Sequence, residues 1–245
     1  MIPTTLACNR LLAPTMNHVI TPPTPTTVPV AGGDLFPVRR IYCVGRNYAE
    51  HAQEMGFTGR EPPFFFLKPA DAVLPVADGA VGEMAYPPLT ANLHHEIELV
   101  VAIGIGGRDI AAKDALRHIW GYAIGLDMTR RDLQAEMKKQ GRPWCIGKAF
   151  DESAPIGPLH AIAQTGELTQ GAITLSVNGS LRQQGDLRDL IWNVAETIET
   201  LSKAWTLQPG DLIFTGTPAG VAAVVAGDVM EGQIAGLGSL RVRVK

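Results

Sequence analysis

Glu96 and Glu98 stand two residues apart inside the otherwise apolar run Asn92-Leu-His-His-Glu-Ile-Glu-Leu-Val-Val-Ala-Ile. In an extended strand, residues i and i+2 project from the same face. The two carboxylates therefore face together, and Ile97, Leu99 and Val101 face the other way. Like charges this close raise each other's pKa unless a cation neutralises them. Asp127 ends a second apolar run and precedes a polar one, so it can bring a third carboxylate to the same place. Three carboxylates completed by water suit a hard divalent cation, Mg2+ or Mn2+. His51 and Glu54 are spaced i, i+3, one face of a helix. A carboxylate that orients an imidazole and raises its basicity makes a general base for water. Lys148, in Ile146-Gly-Lys-Ala-Phe-Asp, supplies positive charge for an anionic oxygen, as do Arg131 and Gln134, one turn apart after Asp127.

These residues need elements to carry them. Residues 38–44, 62–69, 93–105 and 120–126 read as strands, the third carrying the paired glutamates and the fourth delivering Asp127. Residues 46–55 are helical in composition and end at Gly56, a plausible cap. Residues 109–119 and 129–139 read as helices, the second stopped by Gly141 and Pro143. Residues 173–177 lead into Asn178-Gly179, a two-residue hairpin signal. Residues 191–205 form an amphipathic helical pattern, and residues 212–218 and 240–244 read as strands. Helices do not alternate regularly with strands, which argues against a Rossmann or barrel fold and for a β-rich α+β architecture. The alternation puts His94 on the carboxylate face and His95 opposite, and neither is expected to be a ligand. Phe64 to Phe66 read as core. Cys145 has no base paired with it, so no nucleophilic role is expected.

The chain has 245 residues, 46% of them hydrophobic, enough for one sizeable core. A net charge of -3 gives no general reason to bind nucleic acid or an anionic membrane. Apolar runs are too short to span a bilayer, and no signal-peptide pattern is expected at the start. Three widely spaced cysteines fit no zinc or redox motif, which points to a reducing, cytoplasmic setting. Residues 1–35 are set apart by a Pro/Thr-rich stretch and read as an extended arm on a body of residues 36–245.

Six motifs in order resemble the fumarylacetoacetate hydrolase family. They are Cys43-Val-Gly-Arg-Asn-Tyr-Ala-Glu-His, Pro63-Phe-Phe-Phe-Leu-Lys-Pro, His95-Glu-Ile-Glu-Leu, Gly125-Leu-Asp-Met-Thr-Arg-Arg-Asp-Leu-Gln, Lys148-Ala-Phe-Asp and Phe214-Thr-Gly-Thr-Pro-Ala-Gly-Val. The resemblance spans residues 36–245 and is closest to the branch that hydrolyses fumarylpyruvate and other acylpyruvates in aromatic compound catabolism. It implies a mixed β-sandwich roll with a few peripheral helices, and a homodimer. It places metal ligands at Glu96, Glu98 and Asp127, a catalytic pair at His51 and Glu54, and a polarising lysine at Lys148. Substrate contacts fall on Arg131 and Gln134 and on a carboxylate-binding turn at Thr215, Gly216 and Thr217, with Arg46 as a further candidate. Larger members carry a fourth metal carboxylate where this chain has apolar residues near Val44, so more water on the metal is expected. The implied substrate is a diketo acid cleaved to pyruvate and a carboxylic acid. The same site could decarboxylate oxaloacetate or isomerise a 2-hydroxy-diene-dioate, and a non-catalytic ligand-binding scaffold is the alternative of a different class.

Overall fold

Residues 97–103 alternate no polar residue after Glu98, the pattern of a strand buried on both sides. They form the strand Ile97–Ile103, every residue of which is buried. Ile97, Leu99, Val101 and Ile103 enter one core, and Val100 and Ala102 enter a second on the opposite face. In the computed structural model, which describes residues 18–49 and 60–245, this strand lies inside an eight-stranded mixed sheet. From one edge its order is Phe64–Lys68, Arg40–Gly45, Asp211–Phe214, Ile97–Ile103, Ile119–Leu126, Ala154–Ile156 and Val73–Pro75, with His160–Ala161 also paired to Ile119–Leu126. A five-stranded sheet, Ser180–Asp186, Ala172–Val177, Val229–Ile234, Gly238–Val244 and Val81–Met84, packs on the first core through Ile173, Leu175, Met230 and Val242. This is the β-rich α+β sandwich roll that the resemblance implies.

The hairpin at Asn178-Gly179 forms as expected, with both residues at positive φ (50° and 78°). Other boundaries move for local reasons. The reading of one strand over residues 93–105 is corrected to two, Leu93–His94 and Ile97–Ile103. Leu93–His94 leaves the large sheet to sit between Thr129–Arg130 and Ala223–Val224. That pairing also keeps Thr129 and Arg130 extended, so the helix begins at Arg131 and ends at Lys139. Residues 109–119 hold only a 3-10 helix, Ala112–His118. The helix expected over residues 191–205 starts later, at Val194, because Asn193 and Glu196 form a capping box.

In the arm, Thr27–Pro29 pairs with Leu35–Pro37, and Val28 is fully buried. The compositional boundary at residue 36 therefore passes through a hairpin. Phe64–Lys68 is an edge strand, and its three phenylalanines are half-buried rather than core.

Candidate metal and substrate site

The register of the large sheet builds the site. Glu98 stands opposite Gly125, and Ile97 opposite Leu126, so the end of Ile119–Leu126 delivers Asp127 beside the two glutamates. The Asp127 N–H donates to the Glu96 carbonyl at 2.8 Å, which fixes that delivery. Ligand oxygens of Glu96, Glu98 and Asp127 all lie within 4.8 Å of one another, and all three residues are buried. Burial, then Asp127, then Glu96 push the Glu98 carboxyl well above its ordinary pKa, against the pull of the Gly216 N–H and Lys148. A divalent cation would reverse that cost, and the all-oxygen donor set fits Mg2+ or Mn2+.

Buried cations answer the carboxylates. Lys148 Nζ lies 2.7 Å from both Glu96 Oε2 and Asp127 Oδ2. Burial alone would depress the Lys148 pKa, but Asp127 and Glu96 outweigh it, and it stays above the ordinary lysine value. The turn Cys145–Lys148 reaches this position because Gly147 packs against the helix backbone, where a Cβ would come 2.9 Å from Gln134 N. Arg131 donates to Glu96 and, at 2.5 Å, to Gln134 Oε1. Its Nε donates to His94 Nδ1 at 3.3 Å, so the His94 proton sits on Nε2, 2.8 Å from Asn92 Oδ1. Burial and then Arg131 lower the His94 pKa to about 4. The two ring nitrogens are thus engaged by Arg131 and Asn92.

Lys68 is a site residue that sequence reasoning missed. It is 1% exposed, and its Nζ lies 2.8 Å from Asp127 Oδ1 and donates to the Met128 carbonyl and the Lys148 carbonyl. A lysine ending an apolar strand ordinarily reads as an exposed terminus. The available signal was its place in an unbroken phenylalanine run closed by Pro69.

The turn after Asp211–Phe214 closes the site. Gly216 has φ of 103°, and a Cβ there would meet Asn47 Cβ at 2.7 Å, so only glycine fits. Its N–H donates to Glu98 Oε2 at 2.7 Å. Asn47 ties this turn to the segment after Arg40–Gly45 by donating to the Thr215 carbonyl. Thr217 lines the cleft together with Val44, Arg46, Phe66, Gln134 and Trp144. Thr215 is not among the lining residues, and its hydroxyl donates to the Leu99 carbonyl. Val44 lines the cleft, and among the described residues the acidic cluster has three members. Arg46 adopts φ of 58° and stacks over Phe64 at 5.1 Å. A non-glycine residue in that region carries strain of the kind found at functional sites. His51 and Glu54 lie outside the described residues.

The Fumarylacetoacetate (FAA) hydrolase C-terminal family matches residues 40–245. A fumarylpyruvate hydrolase from Pseudomonas aeruginosa, solved in complex with Mn2+ and pyruvate, superposes with a TM-score of 0.91 at 60% identity, covering 93% of this chain and 99% of that one. A fumarylpyruvate hydrolase of a Ralstonia species is 46% identical over 187 residues, 75% of this chain and 93% of that protein. A mitochondrial oxaloacetate tautomerase of Rattus norvegicus is 41% identical over 207 residues, 84% of this chain and 92% of its own. No helix among the described residues is long and apolar enough to cross a membrane. On the family match and these relatives together, the chain belongs to the fumarylacetoacetate hydrolase family.

Proposed function

We propose that this protein is a divalent-metal-dependent hydrolase of carbon–carbon bonds. Its substrate is a 1,3-diketo acid, fumarylpyruvate or another acylpyruvate, which it cleaves to pyruvate and a carboxylic acid such as fumarate. The observation that carries this reading is the buried convergence of Glu96, Glu98 and Asp127 beside the Lys148 ammonium. The similarity to a fumarylpyruvate hydrolase solved with Mn2+ and pyruvate supports it.

Glu96, Glu98 and Asp127 would hold Mg2+ or Mn2+. The chemistry such a cation supplies when bound is Lewis-acid polarisation of the pyruvoyl oxygens. The chain's own residues do the rest. Thr217 receives the substrate carboxylate, and Gly216 shapes the turn that presents it. Phe66 and Trp144 form an apolar wall that excludes water. Glu54 orients His51, which takes a proton from water as the water oxygen bonds to the distal ketone carbon. Arg131 and Gln134 donate to the oxyanion that develops there. The bond between that carbon and the pyruvoyl methylene breaks, and its electron pair becomes the enolate of pyruvate, faced by Lys148. The proton held by His51 passes to the methylene carbon, and the carboxylic acid releases its own proton to solvent. Loss of one oxyanion donor is expected to slow turnover by a factor of ~100 to 1000.

Turnover of fumarylpyruvate or acetylpyruvate, read as loss of substrate absorbance, should stop with a chelator and return with Mn2+ or Mg2+. Failure to turn over either substrate with metal present overturns the reading. His51→Ala should abolish hydrolysis while keeping Mn2+, and Glu98→Ala should lose Mn2+ binding in calorimetry.

The tautomerase relative favours a second reading on the same site, keto–enol interconversion of oxaloacetate. Decarboxylation of oxaloacetate or isomerisation of a 2-hydroxy-diene-dioate would use the same groups. None of these needs an activated water, so comparing oxaloacetate with acylpyruvates as substrates separates them from hydrolysis. The reading further places the protein in the cytoplasm, in aromatic compound catabolism, as a homodimer whose catalytic unit is residues 36–245 with residues 1–35 appended. Sedimentation velocity tests the dimer.

A further inference from the structure

Gln183 is fully buried on the strand Ser180–Asp186, which belongs to the five-stranded sheet rather than to the sheet carrying the acidic triad. Its side-chain amide makes four hydrogen bonds. Oε1 accepts from the Ile97 N–H at 3.2 Å and faces His95 Nδ1 at 2.8 Å. Nε2 donates to Thr217 Oγ1 and to the Pro218 carbonyl, each at 2.8 Å.

Two of these partners are backbone groups with fixed roles. The Ile97 N–H can only donate, and the Pro218 carbonyl can only accept. A flipped amide would set donor against donor and acceptor against acceptor, so the orientation of Gln183 is determined by the backbone on either side. Two consequences follow. His95 Nδ1 must carry its ring proton, because Oε1 has only lone pairs to offer. Thr217 Oγ1 must accept from Gln183, which leaves the hydroxyl hydrogen to point elsewhere. No described residue accepts it, and Thr217 lines the cleft with Glu98 and Lys148. The hydroxyl is therefore set as a donor into the cavity.

We propose that Gln183 is a positioning residue that fixes the Thr217 hydroxyl as a hydrogen-bond donor to the carboxylate of a 2-oxo acid. The inference rests on the function proposed above and adds the device that sets the polarity of its carboxylate contact. Without Gln183 no donor holds the Thr217 oxygen, so its hydroxyl can rotate and present lone pairs to an anion.

The test is the affinity of Mn2+-loaded protein for pyruvate, by calorimetry, in wild type, Gln183→Met, Thr217→Val and the double variant, with Mn2+ affinity measured alongside. Gln183→Met is expected to weaken pyruvate about tenfold, the worth of one charge-assisted hydrogen bond, and to leave Mn2+ affinity within about twofold. In the Thr217→Val background the same change should cost little, because the residue it acts through is gone. Thr217→Ser, which keeps the donor, should bind pyruvate as wild type does. Equal effects of Gln183→Met in both backgrounds, or none in either, overturn the proposal. Should Gln183→Met not fold, a crystal structure of the wild type with pyruvate decides. Thr217 Oγ1 within hydrogen-bond reach of the carboxylate, with Gln183 still donating to it, supports the proposal, and a carboxylate bound elsewhere overturns it. Intact coupling with no acylpyruvate turnover would instead overturn the hydrolase reading alone, and failure of the wild type to bind pyruvate would overturn both.

Discussion

Lys68 shows most directly how the acidic triad is held. Its ammonium is buried against Asp127 while it donates to the Lys148 carbonyl, so it braces a carboxylate and the backbone of the second lysine together. Removing one partner of a buried ion pair typically costs 3–5 kcal/mol because the other charge is left uncompensated. Lys68→Met should therefore lower unfolding free energy by about 3–5 kcal/mol in urea denaturation. An unchanged midpoint would show the contact to be idle. The triad was legible in the sequence because its glutamates share one face of an apolar run and Asp127 ends another, and Lys148 because the motif that carries it resembles the family's. Lys68 and Gln183 were not. Their partners lie far along the chain: Asp127 for Lys68, and Ile97 and Thr217 for Gln183. Only the pairing of strands brings them together. Motif adjacency likewise did not foretell that the Thr215 hydroxyl donates to the Leu99 carbonyl.

At the scale of elements, the turn after Asp211–Phe214 joins the acidic triad to the cleft wall. The Gly216 N–H holds Glu98, and the following residue faces the cleft. Gly216→Ala would place a Cβ against Asn47 in a backbone conformation unfavourable to alanine. Partners of metal-ligating carboxylates typically contribute 10–100-fold to metal affinity. Mn2+ affinity of Gly216→Ala should accordingly fall by about tenfold or more, measured by calorimetry, and wild-type affinity would refute the coupling. Strand and helix types were largely readable from periodicity, but their ends were not. The helix at Arg131–Lys139 starts two residues later than its composition suggests because Thr129–Arg130 is held in a ladder by Leu93–His94. That constraint is tertiary and leaves no local trace.

Over the whole molecule, the Ile97–Ile103 strand divides the interior into two cores and carries Glu98 on the face of Val100 and Ala102. Because the class of fold follows from long apolar strands with few helices, it could be read without structure. Which sheet supplies which wall of the site could not. The triad is matched by Lys68, Lys148 and Arg131, ammonium and guanidinium groups already in contact with it. The architecture therefore does not depend on the ion for its own cohesion, unlike a zinc finger, which is unfolded without metal. Exhaustively chelated protein should keep its far-ultraviolet circular dichroism and a cooperative melt. Mn2+ at a hundred times its Kd should then add about 2.7 kcal/mol by mass action. Collapse of the dichroism on chelation would contradict this. A polypeptide that brings its own counter-ions can leave the ribosome, mature and wait in a metal-starved cell, then switch on when the ion becomes available, without refolding.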